Sequence, residues 1–193
     1  MNPNDALIGY TDLIQRTDTF IRKNAFWILG LGLIAGIGRF IQEGGSGAIS
    51  SSTQIILDIG VNTARLLTVF IIIGKGSLQN GLSAIAKIFR LTKAKWVSIW
   101  DNIKRNFSGN YLALLVNFII YTLIAVIINI GLFILLDHTA FLEWLKSNQL
   151  LSPFASKWPV LLLLKNISII PFTLVFEVLI VSWIVEKNKM TEQ

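Results

Sequence analysis

Four long apolar segments constrain this chain more than any other feature of its sequence. They cover roughly 24–42, 55–74, 111–136 and 158–185. A helix that crosses the hydrocarbon core of a bilayer needs about 20 mostly apolar residues, and each segment is close to or above that length. Of the 193 residues 53% are hydrophobic and 15% charged, whereas about 25% of a soluble domain is charged. The sequence therefore predicts an all-α integral membrane protein, a four-transmembrane-helix bundle.

Basic residues between these segments predict the direction in which the helices cross the membrane. The stretches 1–23, 75–110 and 186–193 hold twelve Lys and Arg residues, whereas the loops 43–54 and 137–157 hold two. Because cytoplasmic loops carry the excess of Lys and Arg, both termini are predicted to be cytoplasmic, with 186–193 as a cytoplasmic tail. The frequent use of Ile, Asn and Lys indicates a bacterial protein, and hence the bacterial cytoplasmic membrane.

Two further segments have the apolar periodicity of helices that lie on a membrane surface. The first is an N-terminal interfacial helix within 1–23, for which a protein partner is the alternative. The second, 83–107, carries apolar and aromatic residues on one side and basic residues on the other. Its basic residues are predicted to contact anionic lipid head groups, at roughly 1 kcal/mol each: Lys87, Arg90, Lys93, Lys95, Lys104 and Arg105. The alternative is that they only set topology. Nucleic acid is not expected as a partner, because the apolar side needs the bilayer.

Charged residues inside the apolar segments are the main candidates for a functional site. Arg65 and Glu177 each lie ten residues before a lysine that closes their segment, so both would sit at one depth. A lone charge at the centre of a bilayer costs roughly 2.5–3.5 kcal/mol on translocon scales, and pairing avoids most of that cost. We therefore expect Arg65 and Glu177 to pair, either as a structural bridge or as part of an ion pathway.

A second candidate pair extends this arrangement into a ladder of charges. Arg39 and Asp58 would meet near the outer ends of the first two spans. Asp58 and Arg65 are seven residues apart and so share a helix face. Lys165 has no predicted carboxylate partner and would extend its stem outward to the interface. Pro171 is predicted to kink the fourth span and to free a backbone carbonyl.

Two glycines predict a close helix contact in the first span. Gly32 and Gly36 form a G-x-x-x-G motif, which gives a helix a flat face against a neighbour. The motif is equally compatible with a contact inside the chain and with self-association.

Signals of enzymatic chemistry are weak. The chain has no cysteine, which excludes thiolate catalysis and thiolate metal sites. Its one histidine, His138, lies beside Asp137 and near Glu143, without the spacing of a known metal motif. No catalytic, cofactor-binding or metal-binding residue is therefore predicted.

Three classes of function remain. The preferred one is a non-enzymatic accessory or scaffold subunit of a larger membrane assembly, with protein partners or self-association in the membrane. The alternatives are a small transporter or homo-oligomeric channel that uses the charge ladder, and a membrane enzyme acting on lipids through Asp137, His138 and Glu143.

Reversing both charges of the predicted pair tests the structural interpretation. Arg65→Glu and Glu177→Arg should each abolish assembly, since each leaves two like charges at one depth, and the double variant should restore it. The measurement is the yield of monodisperse protein after detergent extraction. Restored folding with lost activity would favour transport over a structural bridge.

Overall fold

A computed structural model describes residues 9–186, and all regular secondary structure in that range is α-helical. Its helices are α1 (Asp12–Lys23), α2 (Ala25–Gln42), α3 (Ser51–Ile73), α4 (Leu78–Ile88), α5 (Lys93–Asp137), α6 (Phe141–Ser147), α7 (Trp158–Ile167) and α8 (Ile169–Glu186). The first eight residues of the predicted N-terminal helix and the predicted tail beyond 186 lie outside the described residues.

Four helical stretches of this range are long and apolar enough to cross a membrane. They are α2, α3, α5, and α7 with α8 taken together. This confirms the predicted all-α class and the number of membrane-length apolar helices. The second of them, α3, begins at Ser51 rather than at 55, and α5 is kinked at Asn110 (φ −135°, ψ 15°), directly before the predicted third span at 111.

The basic segment predicted as one helix over 83–107 is interrupted in the structure. Ser77 caps α4, accepting a bond from the Asn80 N–H, and α4 ends at Ile88. The next helix, α5, begins at Lys93, where the Thr92 hydroxyl accepts from the Lys95 N–H. The prediction of a continuous helix was wrong because it considered apolar spacing alone. Thr side chains compete for backbone donors and favour helix starts over helix interiors.

The fourth span breaks at Ser168, three residues before the proline predicted to kink it. Pro171 has no N–H for the carbonyl four residues earlier, and its ring clashes with that carbonyl, so the disturbance falls one turn upstream. Ser168 is the C-cap of α7 (φ −108°, ψ −76°), and its hydroxyl donates to the Leu164 carbonyl at 2.7 Å. The result is two shorter helices, α7 and α8, in place of one bent helix.

The chain divides into two compact units. The first comprises 69–123 with the described parts of 1–23 and 174–193, and the second comprises 24–68 and 124–173. In the first unit, Leu13 of α1 is fully buried against Leu114 of α5 and Phe176 of α8. The Tyr121 ring stacks on Phe176 with centroids 4.3 Å apart. The helix predicted to be interfacial is thus packed into the core of this unit along one side.

In the second unit, α2 packs closely against α7 through its glycines. A Cβ added at Gly32 would lie 2.6 Å from the Asn166 carbonyl oxygen, and one added at Gly36 would lie 2.9 Å from Leu163 Cδ1. Gly38 approaches Val61 of α3 in the same way, at 2.5 Å. The G-x-x-x-G face therefore makes an intramolecular contact, which decides between the two interpretations that the motif left open.

Alanine at Gly32 should destabilise the protein by about 1–3 kcal/mol, since a methyl group there overpacks α2 against rigid backbone of α7. Gly30 lies on the same helix with nothing within 4 Å of an added Cβ. Gly30→Ala should therefore leave stability unchanged or slightly raised. Unfolding in a detergent–SDS titration, followed by tryptophan fluorescence, measures both. Equal effects of the two substitutions would contradict the close α2–α7 contact.

Candidate functional site

The structure brings Arg39 and Asp58 together at the ends of α2 and α3. Arg39 Nη2 lies 3.1 Å from Asp58 Oδ1, and Arg39 Nη1 donates to Gln42 Oε1 at 3.0 Å. Asp58 Oδ2 also accepts from Asn62 Nδ2 at 3.1 Å. Gln42 in turn donates to the Gln54 carbonyl of α3, also at 3.0 Å. This polar cluster joins the end of α2 to the beginning of α3, where both charges are only half-buried.

The same cluster forms one wall of an open groove of about 400 Å³. The groove is lined by Arg39, Gln42, Glu43, Ser51, Gln54, Ile55, Asp58 and Ile59. It thus holds one guanidinium and two carboxylates, beside isoleucines that are largely exposed. The groove therefore presents opposite charges next to apolar surface.

Arg65 has a partner in the second unit that the sequence did not indicate. Its Nη2 donates to Asn166 Oδ1 at 2.9 Å, and Asn166 is almost fully buried. Asn166 Nδ2 donates to the Leu162 carbonyl, within α7. Arg65 thus places its positive charge beside the C-terminal end of α7, where the helix dipole favours a cation. The broken fourth span and Arg65 therefore stabilise each other.

The remaining members of the predicted charge network have other surroundings. Glu177 is exposed on α8 and belongs to the first unit, whereas Arg65 belongs to the second, so the Arg65–Glu177 pair stays a prediction. Lys165 Nζ lies 5.5 Å from the centroid of the Phe133 ring, a cation–π distance. An aromatic face thus compensates the charge of the lysine that had no predicted carboxylate partner.

The residues considered for an enzyme lie at and just after the end of α5 and on α6. Both oxygens of Asp137 lie 2.7 Å from Lys157 Nζ, so this carboxylate is held in an ion pair. Among the described residues no group of three or more His, Asp or Glu side chains is placed to hold a metal ion. His138 and Glu143 are both exposed.

The basic residues of the predicted lipid-contact segment are all exposed: Lys87, Arg90, Lys93, Lys95, Lys104 and Arg105. Large apolar side chains are exposed beside them, with Phe89 at 85% and Trp100 at 58%. Lys104 Nζ lies 6.0 Å from the centroid of the Trp100 ring. The segment therefore presents positive charge and aromatic surface together, which is typical of the membrane interface.

Sequence reasoning missed the buried asparagines. Asn117 is fully buried, accepts from the Leu13 N–H at 3.1 Å, and donates to the Gly9 and Ala113 carbonyls. Asn106 donates to the Ile184 carbonyl at 2.7 Å. An available signal was the spacing of Asn106, Asn110 and Asn117, which places three amides on one side of a continuous helix. These amides fasten α1 and α8 to α5 in the first unit.

The chain matches no family model, no curated protein and no solved structure. The functional interpretation therefore depends on the geometry alone.

A double-mutant cycle tests the contact between Arg65 and Asn166. Arg65→Met and Asn166→Leu should show a coupling free energy of about 1 kcal/mol, because the charged hydrogen bond is lost with either change. The matched control is Asn129→Leu, whose amide donates to Ala125 of its own helix. Its coupling to Arg65→Met should be close to zero in the same SDS titration. Equal coupling in both cycles would contradict the assigned contact.

Proposed function

We propose that this chain is a non-enzymatic multi-pass membrane protein that serves as an accessory or scaffold subunit of a larger membrane assembly. The observation that carries the proposal is the exposure of α5. In the most apolar 18-residue stretch of α5 only 6% of the residues are buried, against 22–28% in the corresponding stretches of the other three membrane-length helices. One side of α5 packs against the chain itself, and the rest of its apolar surface is available to further neighbours.

Outside this packed side, the apolar surface of α5 is exposed to other molecules. Lipid alone satisfies an apolar surface, but membrane helices also associate through close van der Waals packing at small residues. Gly131 lies on α5 with nothing within 4 Å of an added Cβ. A close approach by a helix of another subunit is therefore sterically possible there.

The charged residues support a structural role rather than catalysis. Arg39 with Asp58 and Lys157 with Asp137 form ion pairs, and Arg65 binds Asn166 at a helix end. Each contact joins two elements of the second unit. Such charges hold helices together, which is what a scaffold needs from them.

The location that we propose is the bacterial cytoplasmic membrane, with both termini in the cytoplasm. The twelve-to-two distribution of basic residues supports this orientation. In that orientation α4 and the first turns of α5 lie at the cytoplasmic interface, where Lys87, Arg90 and their basic neighbours would contact anionic lipid head groups.

The break in the fourth span favours a transporter or channel as the second candidate. Discontinuous membrane helices are common in transporters, where their ends bind ions or substrates. Here the break at Ser168 lies next to Asn166, which binds Arg65. The Arg65 Nε–H is buried and has no acceptor among the described residues. An Arg beside a broken helix is the arrangement that an anion pathway would use.

Gentle detergent extraction followed by native mass spectrometry should recover the chain in a stable complex with other proteins. Gly131→Leu should release those partners, since a bulky side chain blocks the close approach while leaving the fold of this chain intact. The matched control is Gly60→Leu on α3, where an added Cβ likewise meets nothing within 4 Å. It should leave the complex intact.

Recovery of a bare monomer, or equal release by both substitutions, would contradict the scaffold proposal. A closed ring of identical chains that carries an anion flux in proteoliposomes would favour the channel. In that case Arg65→Met should abolish the flux.

A further inference from the structure

We propose that the groove between α2 and α3 binds the head group of an ethanolamine phospholipid. The phosphate would lie at Arg39, and the primary ammonium would lie between the carboxylates of Glu43 and Asp58. The proposal rests on the membrane location proposed above and adds a specific lipid to it.

The charges of the groove match a zwitterionic head group. Among residues 9–186, Arg39 is the only cationic side chain that lines it, and Glu43 and Asp58 supply two carboxylates. An anionic lipid would bring a second negative charge to a site whose net charge is already −1. A head group with a phosphate and an ammonium instead places each charge opposite its complement.

The donors and acceptors at the groove allow this binding without breaking the existing contacts. Arg39 uses Nη1 for Gln42 and Nη2 for Asp58, and a guanidinium has five N–H donors, so others remain for a phosphate. Glu43 is exposed, and its backbone N–H rather than its side chain caps α2. Its carboxylate can therefore accept from an ammonium. A primary ammonium has three N–H donors, whereas the quaternary ammonium of choline has none.

The depth of the groove also fits a head group. With 23 residues, α3 is about 35 Å long, slightly more than the hydrocarbon core of about 30 Å. Its first turn is polar (Ser51 to Gln54), and the side chains of Ile55 and Ile59 that follow are 62% and 63% exposed. The groove therefore lies where polar surface changes to apolar surface, so that an acyl chain would continue along the isoleucines.

Native mass spectrometry of the full-length, delipidated protein tests this proposal. Phosphatidylethanolamine, phosphatidylcholine and phosphatidylglycerol with identical acyl chains are added in equal amounts. The ethanolamine lipid should give adducts at the lowest concentration. Glu43→Gln should weaken that binding about fivefold and remove the preference over choline, since it removes one charged partner of the ammonium.

The matched control is Glu143→Gln, which neutralises an exposed carboxylate of the second unit outside the groove and should leave the preference unchanged. Equal binding of the three lipids would overturn the proposal, as would strongest binding of the glycerol lipid. An equal effect of the two Glu→Gln changes would also overturn it. Protein adducts in the same spectra report separately on the scaffold proposal, so that failure of either is distinguished from failure of the other.

Discussion

The close contact between α2 and α7 is the interaction on which the second unit depends. Gly32 and Gly36 allow the two backbones to approach to a distance that any side chain would prevent. In a membrane no hydrophobic driving force acts between helices, so van der Waals packing at small residues is a main source of attraction. Gly38 approaches Val61 of α3 from another side of α2. Glycines thus allow α2 to contact two neighbouring helices closely, on two of its sides.

The break in the fourth span lies beside the contact between α2 and α7. The Asn166 carbonyl lies directly against Gly32, and the Asn166 side chain accepts from Arg65. A broken helix exposes carbonyl groups that hydrocarbon cannot satisfy, and an unsatisfied polar group there costs several kcal/mol. An Arg at the C-terminal end of α7 offsets part of that cost through its charge. Pro171, Gly32 and Arg65 therefore act together: the proline breaks the span, the glycine lets α2 approach the break, and the Arg places a positive charge beside it.

The interpretation of the charges within the apolar helices changes accordingly. A ladder of alternating charges would favour conduction, because transported ions need a succession of polar sites. The described contacts instead pair Arg39 with Asp58 at one end of two helices and assign Arg65 to an amide. Contacts of this kind fix helix positions. The surface left for function is then the outer one: the exposed side of α5, the basic aromatic segment, and the groove at Arg39.

Three features followed from the sequence alone. They are the all-α class, the four apolar segments of membrane length, and the ion pair between Arg39 and Asp58. Apolar length and periodicity are local properties, and two oppositely charged residues at matched depth have few other ways to be compensated. The partner of Arg65 did not follow, because an amide inside another helix carries no charge to mark it. The role of Asn117 was hidden for the same reason, since its partner is a backbone N–H 104 residues away in the sequence.

The sequence by itself determined that this chain consists of apolar helices suited to a membrane, with positive charge concentrated in particular connecting segments. Tertiary structure decided where those helices break and what compensates the breaks. It also decided that the glycine motif of α2 faces α7 of the same chain, since the motif specifies a flat face and not its occupant. Hydrophobicity is additive along a sequence, whereas close packing and amide hydrogen bonds depend on which surfaces meet.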